Sequence, residues 1–208
     1  MPINRVSVKR GLIAWAVERS GLDIAELEDK FPDLTAWEKE EKRPTLNQLE
    51  KFARSTHTPL GYLFLEKPPE EKLPIPHFRT FKDKPITRPS PDLLETVQMM
   101  QRRQSWMRDF LSEEKEKPLP FVGSVNINTS IGTVTESIRK VLGLQTDWAL
   151  QYSWWEEASH ALREVVDQAG ILVTRNGVVG NNNYRKLNVD EFRGFVLADR
   201  HAPLIFIN

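Results

Sequence analysis

Pro68, Pro69, Pro74, Pro76, Pro85, Pro89 and Pro91 crowd into residues 66–91, and no regular element survives that density. Each proline fixes φ, removes a backbone donor and pushes the residue before it away from helical geometry. The stretch can be neither helix nor central strand, so it must join two bodies. This predicts a first domain over residues 1–65, a connector over 66–91 and a second domain over 92–208. Ile75, Phe78 and Phe81 give the inner connector, Leu73 to Phe81, apolar surface with which to lie against a neighbour.

The first 65 residues read as five short helices with tight turns, the pattern of a small DNA-binding-type bundle. Val6 to Arg19 carries apolar residues at helical spacing and stops at Ser20-Gly21. Asp23 caps a helix through Lys30, with Glu26 as the capping-box acid. After Phe31-Pro32-Asp33 a third helix holds Leu34 and Trp37, with Asp33 as its cap, and must break before Pro44. Thr45 opens a fourth with Leu46, Leu49 and Phe52 on one stripe, and Thr58-Pro59 starts a fifth ending in Tyr62, Leu63, Phe64 and Leu65.

The second domain is expected to mix helices with a small sheet, an α+β arrangement. Ser90 caps a long helix from Pro91 to Ser112 whose apolar face runs from Leu93, Leu94, Val97 and Met100 to Trp106, Met107 and Phe110. A helix at Val134 to Leu142 ends at Gly143, and another from Trp148 to Ala169 ends at Gly170. Ile171 to Thr174 reads as a strand, and Asn176-Gly177 and Gly180 to Asn183 read as turns. Phe192 to Leu197 and Pro203 to Ile207 form a hairpin about Asp199-Arg200-His201. Its last strand is expected at a sheet edge that needs covering, which favours a truncated or processed chain over a naturally short one.

The 29 basic and 29 acidic side chains cancel, so no global field draws this chain to nucleic acid. There is no cysteine, which removes disulfides, thiolate zinc sites and cysteine nucleophiles together and suits a reducing compartment. Arg5, Lys9 and Arg10 before the apolar run Gly11 to Val17 imitate a secretion signal, but Glu18 and Arg19 end the run at once. No segment approaches the roughly 20 apolar residues that cross a bilayer. The expectation is a cytoplasmic protein with no membrane partner.

Residues Gly21 to Leu65, with Trp37-Glu38, the Arg43-Pro44-Thr45 turn and Leu46, Leu49 and Phe52, resemble the Xre-type helix-turn-helix module. Phe31-Pro32-Asp33 leaves only about two turns for the recognition helix, a departure that bears on base reading. The rest resembles the ImmA/IrrE zinc peptidases. The resemblance is carried by Thr58-Pro59-Leu60 through Leu65, Pro76-His77-Phe78-Arg79, Glu191-Phe192-Arg193-Gly194-Phe195, and Ala202-Pro203-Leu204-Ile205-Phe206-Ile207-Asn208. It implies a helix-turn-helix-like bundle followed by the helix-rich front of a zincin-like domain with a small sheet. It also implies a parent activity, zinc-dependent cleavage of a repressor or antitoxin-like protein in a toxin-antitoxin setting. That chemistry needs His-Glu-x-x-His on a helix, two imidazoles holding zinc and a glutamate as base. The motif is absent from these residues, so zinc belongs to the full-length parent, and no catalytic or metal-binding residue is assigned here. The nearest look-alike, Glu156-Glu157-Ala158-Ser159-His160, has an acid in place of the first histidine. The competing reading is a non-catalytic helix-turn-helix transcription regulator or protein-binding module.

His57, His77, His160 and His201 are scattered, with no pair four residues apart, and read as ordinary surface or packing residues. Glu156, Glu157 and His160 beside Trp154 and Trp155 read as a partly buried amphipathic face, and Arg102, Arg103 and Arg108 as a solvated one. The helix-turn-helix reading places DNA contacts at Thr35, Lys39, Lys42 and Arg43, among Glu38, Glu40 and Glu41, which weaken the local field. Asn181-Asn182-Asn183 is either a ligand loop or, more simply, a turn. Leu204, Ile205, Phe206 and Ile207 are the candidates for pairing with an extended peptide segment added to the sheet.

Overall fold

The computed structural model describes residues 4–71, 73 and 89–208, and these form a mixed α+β protein. The inner connector, with Pro76-His77-Phe78-Arg79, lies outside the described residues. No described helix is long and apolar enough to cross a membrane. The described residues divide into two compact units, one reaching residue 73 and including 89–94, the other covering 95–208.

In the first unit, α1 (Arg10–Ser20), α2 (Ile24–Lys30), α3 (Leu34–Glu38) and α4 (Leu46–Ser55) are followed by a 3-10 turn at Leu60–Phe64. Leu12, Ile13, Leu27, Leu49, Phe52 and Leu63 are fully buried, with Trp37 set edge-on to Phe52 at 6.3 Å. Helix α1 starts four residues later than its periodicity predicts. The segment before it is extended, with Val6 N–H donating to Pro44 O at 2.9 Å and Leu46 N–H to Asn4 O at 3.2 Å. Asp23 caps α2 through Ala25 N–H at 2.9 Å. Asp33 does not cap α3; its carboxylate pairs with Lys42 Nζ at 2.6 Å. Thr45 and Gln48 form a reciprocal capping box on α4, while Leu46 lies half-exposed beside it.

The first unit also extends past residue 65. The guanidinium of Arg19, almost buried, makes a two-pronged pair with Glu71 at 2.6 and 2.8 Å and donates to His57 O at 2.8 Å. It lies over Trp15, 5.5 Å from the ring centroid. This bidentate pair, with Nη1 donating to His57 O beside it, holds this stretch of chain to the bundle despite Pro68 and Pro69.

Helix α5 (Pro91–Glu113) begins as expected, with Ser90 Oγ accepting from Leu93 N–H at 3.1 Å. Leu93, Leu94, Val97 and Met100 are buried. Trp106 and Phe110 are exposed and stack on each other at 6.0 Å; periodicity sets which side chains share a face, not what that face meets.

In the second unit, α6 (Ile131–Leu142) is capped by Ser130 and closed by Gly143 at φ 66°. The helix read from Trp148 breaks: a 3-10 turn at Trp148–Gln151 is followed, after extended Tyr152 and Trp154, by α7 (Trp155–Gln168). No residue of α6 or α7 is buried. The sheet has three strands, β1 (Leu172–Arg175), β4 (Gly194–Leu197) and β5 (Leu204–Ile207), in the order β1-β5-β4. Strands β2 (Val178–Val179) and β3 (Asn182–Lys186) form a separate hairpin. Asn182 and Asn183 therefore belong to a strand, not to the turn read from their sequence. Asn176 fixes the turn before them, accepting from Val178 N–H at 3.2 Å and donating to Gly180 O at 2.7 Å.

Candidate functional site

Strand β5 is the middle of its sheet, parallel to β1 on one side and antiparallel to β4 on the other. Leu172 N–H donates to Pro203 O at 2.8 Å and Asn176 N–H to Ile207 O at 3.0 Å, so alternate residues Pro203, Ile205 and Ile207 serve β1. Asn208 N–H donates to Arg193 O at 3.0 Å, which assigns Leu204, Phe206 and Asn208 to β4. Both backbone edges of Leu204, Ile205, Phe206 and Ile207 are thus occupied, and the expectation that these residues pair with an added peptide is corrected. Sequence order puts β5 last; only the crossover connection between β1 and β5 makes it central.

The edge open to an added strand is at β4. With Arg193, Phe195 and Leu197 turned toward β5, the N–H and C=O groups of Gly194 and Val196 point outward and have no hydrogen-bond partner among the described residues. The opposite edge, at β1, lies beside α7.

The two faces of the sheet differ sharply. Phe195, Leu197, Leu204 and Phe206 are buried on one, where Phe195 stacks on Phe206 at 5.0 Å. On the other, Val196 is 57% and Ile207 42% exposed, so the face beside the β4 edge is apolar and uncovered. Helix α7 borders it through a groove of about 420 Å³ between Trp155, Ser159 and Val166 and the strand residues Val173, Ile205 and Ile207. Gly194 is required by packing. A β-carbon there would stand 2.5 Å from Phe206 O, closer than any real contact.

The hairpin that carries this edge is clamped from the side. Gln104 Nε2 donates to Leu197 O at 2.8 Å and to Ala202 O at 2.9 Å. Asp199 accepts from His201 N–H at 2.8 Å and Ala202 N–H at 3.0 Å, and faces Arg108 at 3.6 Å. Burial pushes the Asp199 carboxyl upward, but the backbone donors of Ala202 and His201, with the charges of Arg108 and His201, more than offset this and hold it below its ordinary value. The Asp199 turn has a sequence signature, an aspartate two residues before the backbone donor it accepts from. The Gln104 clamp has none, because its partners lie more than 90 residues away.

Glu156 and His160 line the groove, but His160 pairs with Glu164 at 3.3 Å with both side chains largely exposed, which corrects the partly buried face expected there. His201 sits in the clamped hairpin loop and His57 follows α4, accepting from Arg19. One imidazole and one carboxylate at Glu156 and His160, with no third donor converging among the described residues, do not fit a zinc centre. No hydrolytic step is therefore assigned to these residues.

In the first unit the four DNA candidates part company. Thr35 Oγ1 donates to Glu28 at 2.8 Å and Lys42 is paired with Asp33. Lys39 and Arg43 are exposed, though Arg43 O accepts from Arg5 Nη1 at 2.6 Å. Helix α3 has five residues, too few to present a long reading face to a major groove.

No family model, curated protein or solved structure matches this chain. The site therefore rests on its geometry: a free antiparallel edge, an uncovered apolar face beside it, and a clamp that fixes both.

Proposed function

We propose that this chain is the partner-holding portion of an ImmA/IrrE-like zinc endopeptidase, with an Xre-like bundle in front and a zincin-like sheet behind. Its substrate is a repressor or antitoxin-like protein, and the outer edge of β4 receives an extended segment of it. The observation that carries this reading is the unpaired outward backbone of Gly194 and Val196 beside the uncovered face of Val196 and Ile207. An unpaired edge offers main-chain hydrogen bonds to any extended segment, and proteins otherwise blunt such edges with charge, proline or cover. The unburied helices α6 and α7 support it too, since amphipathic helices without a core gain stability from a partner. Bound zinc would supply an activated water and a polarised carbonyl in the full-length parent; these residues hold the partner.

Because the chain has no cysteine, Val196→Cys creates a single reporter thiol at the edge. A saturating amount of the host's repressor or antitoxin-like substrate is expected to slow its alkylation at least tenfold. Val196→Pro, which removes an outward donor that the sheet does not use, is expected to abolish binding while keeping the fold. Unchanged alkylation with that protein bound would defeat the proposal.

A further inference from the structure

Resting on that reading of the β4 edge, we infer that the segment it takes is alternately apolar, with a β-branched residue facing Val196 and, two residues later, an aromatic one facing Gly194. Outward-facing residues of an antiparallel edge form hydrogen-bonded pairs with the added strand, and directly paired residues project from the same face. Both incoming side chains therefore land on the uncovered face that already holds Val196, Ile205 and Ile207. Antiparallel order puts the residue opposite Val196 first and the residue opposite Gly194 second.

The two positions ask for different shapes. Val196 is 57% exposed and presents a branched side chain, which favours a branched apolar neighbour across the strand. Gly194 presents no side chain, and its backbone lies tight against Phe206 O, so the face above it is bare backbone as far as Ile207, itself 42% exposed. Strands lie about 4.8 Å apart, so only a long, flat side chain reaches across the glycine to Ile207; an aromatic ring laid over an edge glycine covers bare backbone of this kind. The intervening peptide residue projects to the opposite face and is free to be polar.

The test uses the full chain and three fluorescent heptapeptides: Lys-Thr-Val-Thr-Phe-Thr-Lys, its exchange Lys-Thr-Phe-Thr-Val-Thr-Lys, and the all-polar Lys-Thr-Thr-Thr-Thr-Thr-Lys. Affinity is read by anisotropy and strand addition by hydrogen exchange at the Gly194 and Val196 amides. The first peptide is expected to bind about tenfold more tightly than the polar one and several-fold more tightly than the exchange, and to protect both amides. Equal affinities with both amides protected overturn this inference and leave strand addition standing. No binding, or binding without protection of those amides, overturns the edge reading itself and this inference with it.

Discussion

Replacing Gly194 by alanine tests whether the sheet that carries the candidate edge is built as described. The added β-carbon would lie 2.5 Å from Phe206 O, whereas ordinary contact begins at 3.4 Å, so something must move by about 0.9 Å. The obstacle is backbone in the central strand, bonded to β1 on one side and β4 on the other, with its ring stacked on Phe195. It cannot rotate away like a flexible side chain. Overpacking of this kind costs about 1–3 kcal/mol, and a rigid neighbour points to the upper end. For a unit of this size each kcal/mol lowers Tm by about 4 °C, so Gly194→Ala should unfold about 10 °C earlier by calorimetry. Gly177→Ala is the matched control: nothing lies within 4 Å of its β-carbon, and it should change stability by well under 1 kcal/mol. Equal Tm values for the two variants would refute the register of β4 on β5.

Arg19→Ala should destabilise the first unit by about 3–5 kcal/mol in urea unfolding, because it strands the Glu71 carboxylate and the His57 carbonyl; Arg19→Lys, without the planar fork, should recover only part of that. Asp199 has a depressed folded-state pKa, so its contribution is full above the unfolded value of about 3.8 and is lost as pH falls through the lower folded value. The stability advantage of the native chain over Asp199→Asn should therefore hold at pH 5 to 7 and vanish in acid, as followed by denaturation at each pH. Lys115 sits at φ 61°, a left-handed position after α5, and Lys115→Gly should raise stability by about 1 kcal/mol in the same assay. If Lys39 and Arg43 supply the phosphate contacts, duplex DNA binding should weaken with salt at a log-log slope of about −2, and a slope of −6 would show a basic surface elsewhere.

Much of this molecule is legible locally. Asp23, Thr45 and Ser90 marked helix starts and Gly143 marked a stop, because caps act over a few residues of backbone, whereas the helix read from Val134 begins three residues earlier at Ile131. Where local signals compete, they misled. The helix periodicity from Val6 lost its first turn to pairing with residues 44–46, and Asp33 left its cap to meet Lys42. Apolar periodicity also placed Trp106 and Phe110 on a face without showing that the face meets solvent.

The amino-acid order alone determined that the chain mixes helices with strands and that the apolar runs Phe192 to Leu197 and Pro203 to Ile207 carry consecutive strands, found at Gly194–Leu197 and Leu204–Ile207. It did not determine which of those strands is central. That follows from a crossover that brings β1, more than 20 residues earlier, alongside β5. Backbone hydrogen bonds between strands carry no side-chain code, so strand order depends on how the whole sheet closes its core. The same closure put Gly194 against Phe206 O, brought Gln104 to the hairpin, and left the outward backbone of Gly194 and Val196 as an open edge of the sheet.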